Sequence, residues 1–278
     1  MRKIISLAIT ILLILSAVSV HAIDNYGGYP VPVDIAVNGS FIKCSQKPIM
    51  VNNRTYIPLR ALADAIGASI SWDGNTRAAT MTKSNHTFVF HSGWDTCTID
   101  GVKKNHPTIN HKDLLFVPVR AISETLGYGV EWDDFYLTVK INAPSVSVPQ
   151  SSIDYSYSFE DIMYLSKITH IESGSLAYNT RIAVANTVLN RKRSGEFPNT
   201  IKDVIFDTNY GTQFPPAHTD KFNNTPSKQS VMAAKCALNG INIVGNSLYF
   251  VDVEYQSGSW VHNNRRLYKT VGTMAFYE

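Results

Sequence analysis

The stretch Tyr56-Ile-Pro-Leu-Arg-Ala-Leu-Ala-Asp-Ala-Ile-Gly-Ala-Ser-Ile-Ser-Trp-Asp73 returns 60 residues later, without a gap, as Phe116-Val-Pro-Val-Arg-Ala-Ile-Ser-Glu-Thr-Leu-Gly-Tyr-Gly-Val-Glu-Trp-Asp133. Pro58/Pro118, Arg60/Arg120, Ala61/Ala121, Gly67/Gly127, Trp72/Trp132 and Asp73/Asp133 are identical, and most other pairs keep their polarity. Self-similarity at a fixed offset means two copies of one supersecondary unit. Each copy reads as a hairpin turn (Asn38-Gly39, Asp100-Gly101), a strand, a proline entering a helix, and a further strand pair. Ala61, Leu62, Ala65 and Ile66 give the helix an apolar face, and Gly67 and Gly127 suit C-terminal caps that need positive φ. A repeated residue at one structural position packs the shared unit, so Trp72 and Trp132 are expected to cap their cores.

The ends of this block set the domain organisation. Residues 1–22 begin with Arg2 and Lys3, continue apolar from Ile4 to Val20 and finish on Val20-His21-Ala22, the form of a secretory leader cleaved after Ala22. The repeat unit spans 23–142. Residues 143–157 hold Ala143-Pro-Ser-Val-Ser-Val-Pro-Gln-Ser-Ser152, an uncharged Ser/Pro connector expected to be extended, leaving everything through Ser152 dispensable for catalysis. Residues 158–278 form a second unit. The fold class expected is α+β: a two-repeat α+β N-terminal domain, then a mainly helical domain with short strands.

Formal net charge is +3, and +1 once Arg2 and Lys3 leave with the leader. Near neutrality gives no footprint for nucleic acid. Cys44, Cys97 and Cys236 cannot all pair within one chain; Cys44 and Cys97 can pair, while Cys236 sits among Ala233, Ala234, Ala237 and Leu238 and reads as a small apolar residue. No Cys/His spacing suits zinc or copper, so neither metal nor cofactor is expected.

The chemistry is concentrated after Ser158. Ser158-Phe-Glu-Asp161 is a capping box that opens a helix with Phe159, Ile162, Leu165 and Ile168 on one face. Glu172 falls at its end, where the negative pole of the helix dipole disfavours the charged carboxylate. A carboxyl that holds its proton near neutral pH suits a general acid. A Ser/Gly break follows, then a helix reaching Asn190-Arg191. Thr225-Pro226 reads as the start of another helix, ended by Gly240. Asp203, Asp252 and Glu254 are alternative carboxylates with no motif behind them.

Two resemblances attach to these blocks. Val33 to Asn142 resembles the copper amine oxidase N-terminal domain-like repeat of secreted proteins; with no copper-ligand spacing among its histidines, it is read as a wall-binding or spacer module. Phe159 to Tyr277 resembles the SleB-type cell-wall hydrolases, the spore cortex-lytic enzymes, through Glu172, Ile182-Ala-Val-Ala185, Val188-Leu-Asn-Arg191, Phe197-Pro-Asn-Thr200, Asp203-Val-Ile205, Gln213-Phe214, Leu248-Tyr-Phe250, Trp260 and Gly272 to Tyr277.

That resemblance implies a lysozyme-like fold, Glu172 as catalytic residue, and peptidoglycan glycan strands as partner. It implies a secreted protein of the cell wall or spore envelope, with no membrane insertion after leader cleavage. A single well-placed carboxylate suits lytic transglycosylase chemistry. Tyr210, Gln213, Phe214, Tyr249 and Trp260 are expected to bind substrate, with Phe250 assigned to the core. The chain departs from the family pattern at Ser173-Gly-Ser-Leu176, which lacks the family's second Glu, at Met274 in place of a His, and at Pro215. The alternatives are an N-acetylmuramoyl-L-alanine amidase, disfavoured because His170, His218 and His262 lack ligand spacing, and a non-catalytic wall-binding protein.

Overall fold

The computed structural model describes residues 23–209 and 211–278; the leader and Tyr210 lie outside the described residues. In the N-terminal half, strand Arg54–Pro58 runs into helix α1, Leu59–Ile66, and then strands Ser69–Asp73 and Ala78–Lys83. The second pass gives strand Leu114–Pro118, helix α2, Val119–Thr125, and strands Gly129–Asp133 and Thr138–Asn142. The proline in each copy closes the strand, where its fixed φ and missing N–H are harmless to the first helical turn. Gly67 and Gly127 follow with φ of 67° and 76°, a region that a side chain disfavours. Strands Arg54–Pro58 and Leu114–Pro118 pair antiparallel with Ile57 opposite Val117, so equivalent positions of the two copies meet.

Both hairpin turns form as read: Asn38-Gly39 joins Asp34–Val37 to Ser40–Phe41, and Asp100-Gly101 joins Cys97–Ile99 to Val102–Lys104, with positive φ at both residues of each turn. Leu62, Ile66, Met81, Phe88, Phe90, Val117 and Ile122 build the core beneath the helices. The two tryptophans differ. Trp132 packs against that core, whereas Trp72 is 58% exposed and caps nothing; both lie on edge strands, so the difference is in what covers each ring.

The Ser/Pro connector is not an extended spacer. Asn38 Nδ2 donates to the carbonyls of Ala143 and Val146 at 2.8 and 2.9 Å, while its Oδ1 accepts from Ala143 N at 2.9 Å. Ile153 bridges to Ile42, and Lys43 N and Asp154 N pair with Ser152 O and Phe41 O. Scattered apolar residues, Val146 among them, bury themselves on the preceding core and override the local Ser/Pro tendency.

The C-terminal half is a helical group with one small sheet. Helices α3, Phe159–Ser173, α4, Tyr178–Ser194, α5, Ile201–Ile205, and α6, Lys228–Leu238, surround Leu165, Ile168, Ala185, Val188, Val204 and Ala234. Helix α6 starts at Lys228 with Ser227 as its cap, its hydroxyl accepting from Ser230 N, rather than at Thr225-Pro226. Strand Tyr249–Asp252, helix α7, Trp260–Asn264, and strands Leu267–Val271 and Met274–Tyr277 complete the unit; Met274–Tyr277 lies centrally in its sheet. No helix among the described residues is long and apolar enough to cross a membrane.

The two halves share a core. Ala36 and Phe41 from the first pack with Tyr157, Ile162 and Val231 from the second. At this seam Lys235 of α6 is fully buried and lies 2.8 Å from Asp34, a charge contact rather than an aligned hydrogen bond, while its ammonium donates to the carbonyls of Tyr136 and Leu137. The Tyr157 hydroxyl donates to Asp34 at 2.8 Å.

Candidate active site

Helix α3 exists to end where it does. Ser158 Oγ accepts from Asp161 N at 3.1 Å and Asp161 Oδ2 accepts from Ser158 N at 2.8 Å, so the capping box satisfies two backbone donors at the helix start reciprocally. Ile162, Leu165 and Ile168 are fully buried and fix the helix rotation. The chain then breaks at Gly174, where a Cβ would stand 2.3 Å from the His170 carbonyl oxygen. Arg181 ties this turn from α4: its Nη2 donates to Gly174 O at 2.6 Å, its Nε to Leu176 O at 3.2 Å, and its Nη1 to Ser227 and Ser230. Ser173 is buried with its hydroxyl on Thr169 O. The departure at Ser173 to Leu176 is therefore built into the turn that presents Glu172.

Glu172, in the last turn of α3, is largely withdrawn from solvent, and its Oε1 is buried without a hydrogen-bond partner. Burial pushes its carboxyl up to about 7, with the positive charge of Arg191 pulling the other way. It is thus poised between acid and base at neutral pH.

Helix α4 supplies the opposite wall. Asn186 holds Ile241 O and Ile243 N, and Asn190 Nδ2 donates to Gly245 O and Ser247 O. Arg191 Nε donates to Leu248 O at 2.7 Å. These buried amides and the guanidinium lead the chain into strand Tyr249–Asp252. The Arg191 guanidinium sits 4.8, 4.9 and 5.6 Å from the rings of Phe197, Phe214 and Tyr249. Beyond Tyr249, Arg265 stacks on that ring at 4.7 Å and on Trp260 at 5.3 Å, and its Nη2 donates to the Tyr249 hydroxyl.

The substrate residues expected from sequence fall into three groups. Tyr249 is half-buried beside the Arg191 cage, and Trp260, 59% exposed, stands 6.4 Å from it, so these two present aromatic faces. Phe214 is 1% exposed; packed among Leu165, Ile205 and Ala217, it offers no free face and serves instead as a wall for Arg191. Gln213 is half-buried, its amide turned to Gly211 O at 3.0 Å, and Tyr210 lies outside the described residues. Phe250 packs between the helical core and the sheet. Of the alternative carboxylates, Asp203 accepts from the hydroxyl of the cap residue Thr200, Asp252 caps the turn that follows it, and Glu254 is exposed. Asp207 was missed: it is buried, accepts from Asn209 N, and its charge acts on Arg191. Its signal was weak, a lone acidic residue after an apolar helix. The signal for Arg181, Asn186, Asn190 and Arg191 was stronger, since polar residues interleaved with Ile182, Ala185 and Val188 must share a buried face.

Among the described residues no three His, Cys, Asp or Glu gather as a metal-holding group. The three cysteines are free, and Tyr178 hydroxyl meets Cys236 Sγ at 3.4 Å. A cavity of about 970 Å³ opens away from Glu172, at the seam, lined by Tyr26, Arg54, Trp132 and Met232 among others. Its carboxylates, Glu124 and Asp134, are held by Arg120 and Lys228 at 3.0 and 2.6 Å.

Residues 176–277 match the Cell Wall Hydrolase family model, and residues 36–141 match the Copper amine oxidase N-terminal domain. Residues 176–277 thus carry a Cell Wall Hydrolase domain. Glu172 stands just ahead of the matched segment. Among curated relatives, the chain is 29% identical over 126 residues to a spore cortex-lytic enzyme of Bacillus cereus, covering 45% of this chain and 47% of the relative. It is 29% identical over 133 residues to a spore cortex-lytic enzyme of Oceanobacillus iheyensis, covering 48% and 45%. The chain thus spans about half the length of the curated relatives it matches. Solved structures with a likeness are the catalytic domain of the germination-specific lytic transglycosylase SleB from Bacillus anthracis (29% identity, TM-score 0.41, 45% of this chain and 100% of that one) and the catalytic domain of SleB from Bacillus cereus (30%, 0.41, 45% and 94%).

Proposed function

We propose that this chain cleaves the glycan strands of peptidoglycan between N-acetylmuramic acid and N-acetylglucosamine, with Glu172 as general acid and then general base. The observation that carries the reading is the Glu172 carboxyl: buried, unpartnered at Oε1 and pushed up to about 7. It would protonate the glycosidic oxygen as the bond to C1 breaks, then take the proton of the muramic C6 hydroxyl as that oxygen closes on C1. The product is a 1,6-anhydro sugar, as expected of a lytic transglycosylase. Two-carboxylate hydrolysis needs a second acid flanking the bond, and Asp203, Asp252 and Glu254 are otherwise engaged or exposed. Tyr249 and Trp260 supply flat faces for sugar rings.

In this reading residues 1–22 export the chain to the wall or spore envelope. Residues 23–142 are a two-repeat wall-binding or spacer unit, 143–157 the connector, and 158–278 a lysozyme-like hydrolase unit. The test is mass spectrometry of fragments released from peptidoglycan by the wild type and by Glu172→Gln. Anhydro-muramic ends that disappear in the variant support the reading, with a loss of about a hundred- to ten-thousandfold. Reducing muramic ends, or a variant as active as wild type, would overturn it.

A further inference from the structure

Arg191 is an expensive residue to bury. It is 4% exposed, its guanidinium is boxed by three aromatic rings, and among the described residues its Nε alone has an acceptor close by, at Leu248 O. Its Nη1 is buried without a partner. The same is true of Glu172 Oε1. A buried donor and a buried acceptor are thus left unsatisfied on two groups whose charges act on each other, though among the described residues no ion pair joins them, and each would ordinarily be costly. The titratable groups that act on Arg191 are, strongest first, Tyr249 from the strand behind it, Asp207 from the segment after α5, and Glu172 from α3; for Glu172 the charge that acts is Arg191.

We propose that Arg191 is the positioning residue of Glu172: held rigid by Phe197, Phe214 and Tyr249, it is the fixed positive charge against which the carboxylate forms. This rests on the reading of Glu172 as the acid. When the Glu172 proton passes to the glycosidic oxygen and the C1–O bond breaks, a carboxylate appears in a site with little water. Arg191 stabilises that anion without contacting the sugar, and the charge is released when Glu172 takes the C6 hydroxyl proton. A guanidinium suits the task because its plane stacks between rings while its edge N–H groups stay aimed. A purely structural Arg191 would only pin Leu248 and fill space.

Two measurements on the full chain separate these roles. The first is the pH–rate profile of peptidoglycan cleavage for Arg191→Met and Arg191→Lys. Removing the charge should move the alkaline limb up by about one pH unit and lower kcat about tenfold or more at little change in KM, whereas Lys should keep the limb near that of wild type. An unmoved limb in a folded Arg191→Met, or an equal shift in both variants, would overturn the proposal. The second needs no substrate, so it stands even if the cleavage reading fails. At pH 8, where the carboxyl is mostly ionised, the drop in Tm caused by Arg191→Met should shrink in a Glu172→Gln background, and a single variant that does not fold should regain folding there. An equal drop in both backgrounds, or no rescue, would overturn the proposal.

Discussion

Lys235 and Asp34 meet 2.8 Å apart at the seam between the two halves of the chain, both shielded from solvent. Burial pulls the Lys235 ammonium below its ordinary range while Asp34 opposes that shift. Removing one partner leaves an uncompensated charge, so Asp34→Ala should destabilise the chain by about 3–5 kcal/mol. Pairing it with Lys235→Met should recover most of that loss. Urea denaturation of the two single variants and the double variant gives the coupling, and additive losses would contradict a working pair.

A chain starting at Ser158 should be less stable than the hydrolase unit within the full protein, contrary to what the Ser/Pro composition suggests. It loses Asp34, Tyr157 and Phe41 from around Lys235, Ile162 and Val231. Thermal melting of the shortened chain, with and without Lys235→Met, tests this. Equal Tm values for the shortened and full chains would mean that the shared core contributes nothing.

Glu172 makes stability depend on pH. Its folded-state carboxyl titrates near 7 against an ordinary value of 4.5, so between these values the folded form holds the proton that the unfolded form has released. Its contribution is fully present below about pH 4.5 and is lost as pH rises through 7, an effect on the order of 3 kcal/mol. Glu172→Gln cannot ionise and should melt several degrees above wild type at pH 8 but not at pH 4. A Tm difference that does not vary with pH would place the proton elsewhere.

Phe214 and Trp260 should separate stability from binding. Phe214→Ala removes a fully buried ring and should cost about 3–5 kcal/mol in unfolding free energy. Trp260→Ala should leave Tm nearly unchanged and raise KM for soluble glycan fragments, up to about tenfold. A stable Phe214→Ala with an altered KM would return that ring to the cleft.

Both hairpin turns, the α3 capping box and the place of Glu172 at a helix end could be read from the sequence because each depends on residues close in the chain. Proline at a helix start, Gly67 and Gly127 with positive φ, and Ser158 with Asp161 are decided locally. The connector could not be read in this way. Its Ser and Pro content favours extension, but Val146 and Ile153 find partners on a core far upstream. Nor could the fate of Trp72 and Trp132 be told apart, since identical residues in identical elements differ only in what lies over them. The proposed site divides in the same way: the helix-end placement of Glu172 was legible, whereas the Phe197, Phe214 and Tyr249 cage requires three distant segments to meet.

Helix α6 turns one side toward the hydrolase core through Ala234 and Ala237, and another toward the repeat unit through Val231 and Lys235. Neither half can melt without taking a wall from the other. The heat of unfolding should therefore appear as one endotherm whose calorimetric and van't Hoff enthalpies agree across the described fold, so that damage in the N-terminal half reaches the proposed site at Glu172 as lost population rather than as altered chemistry.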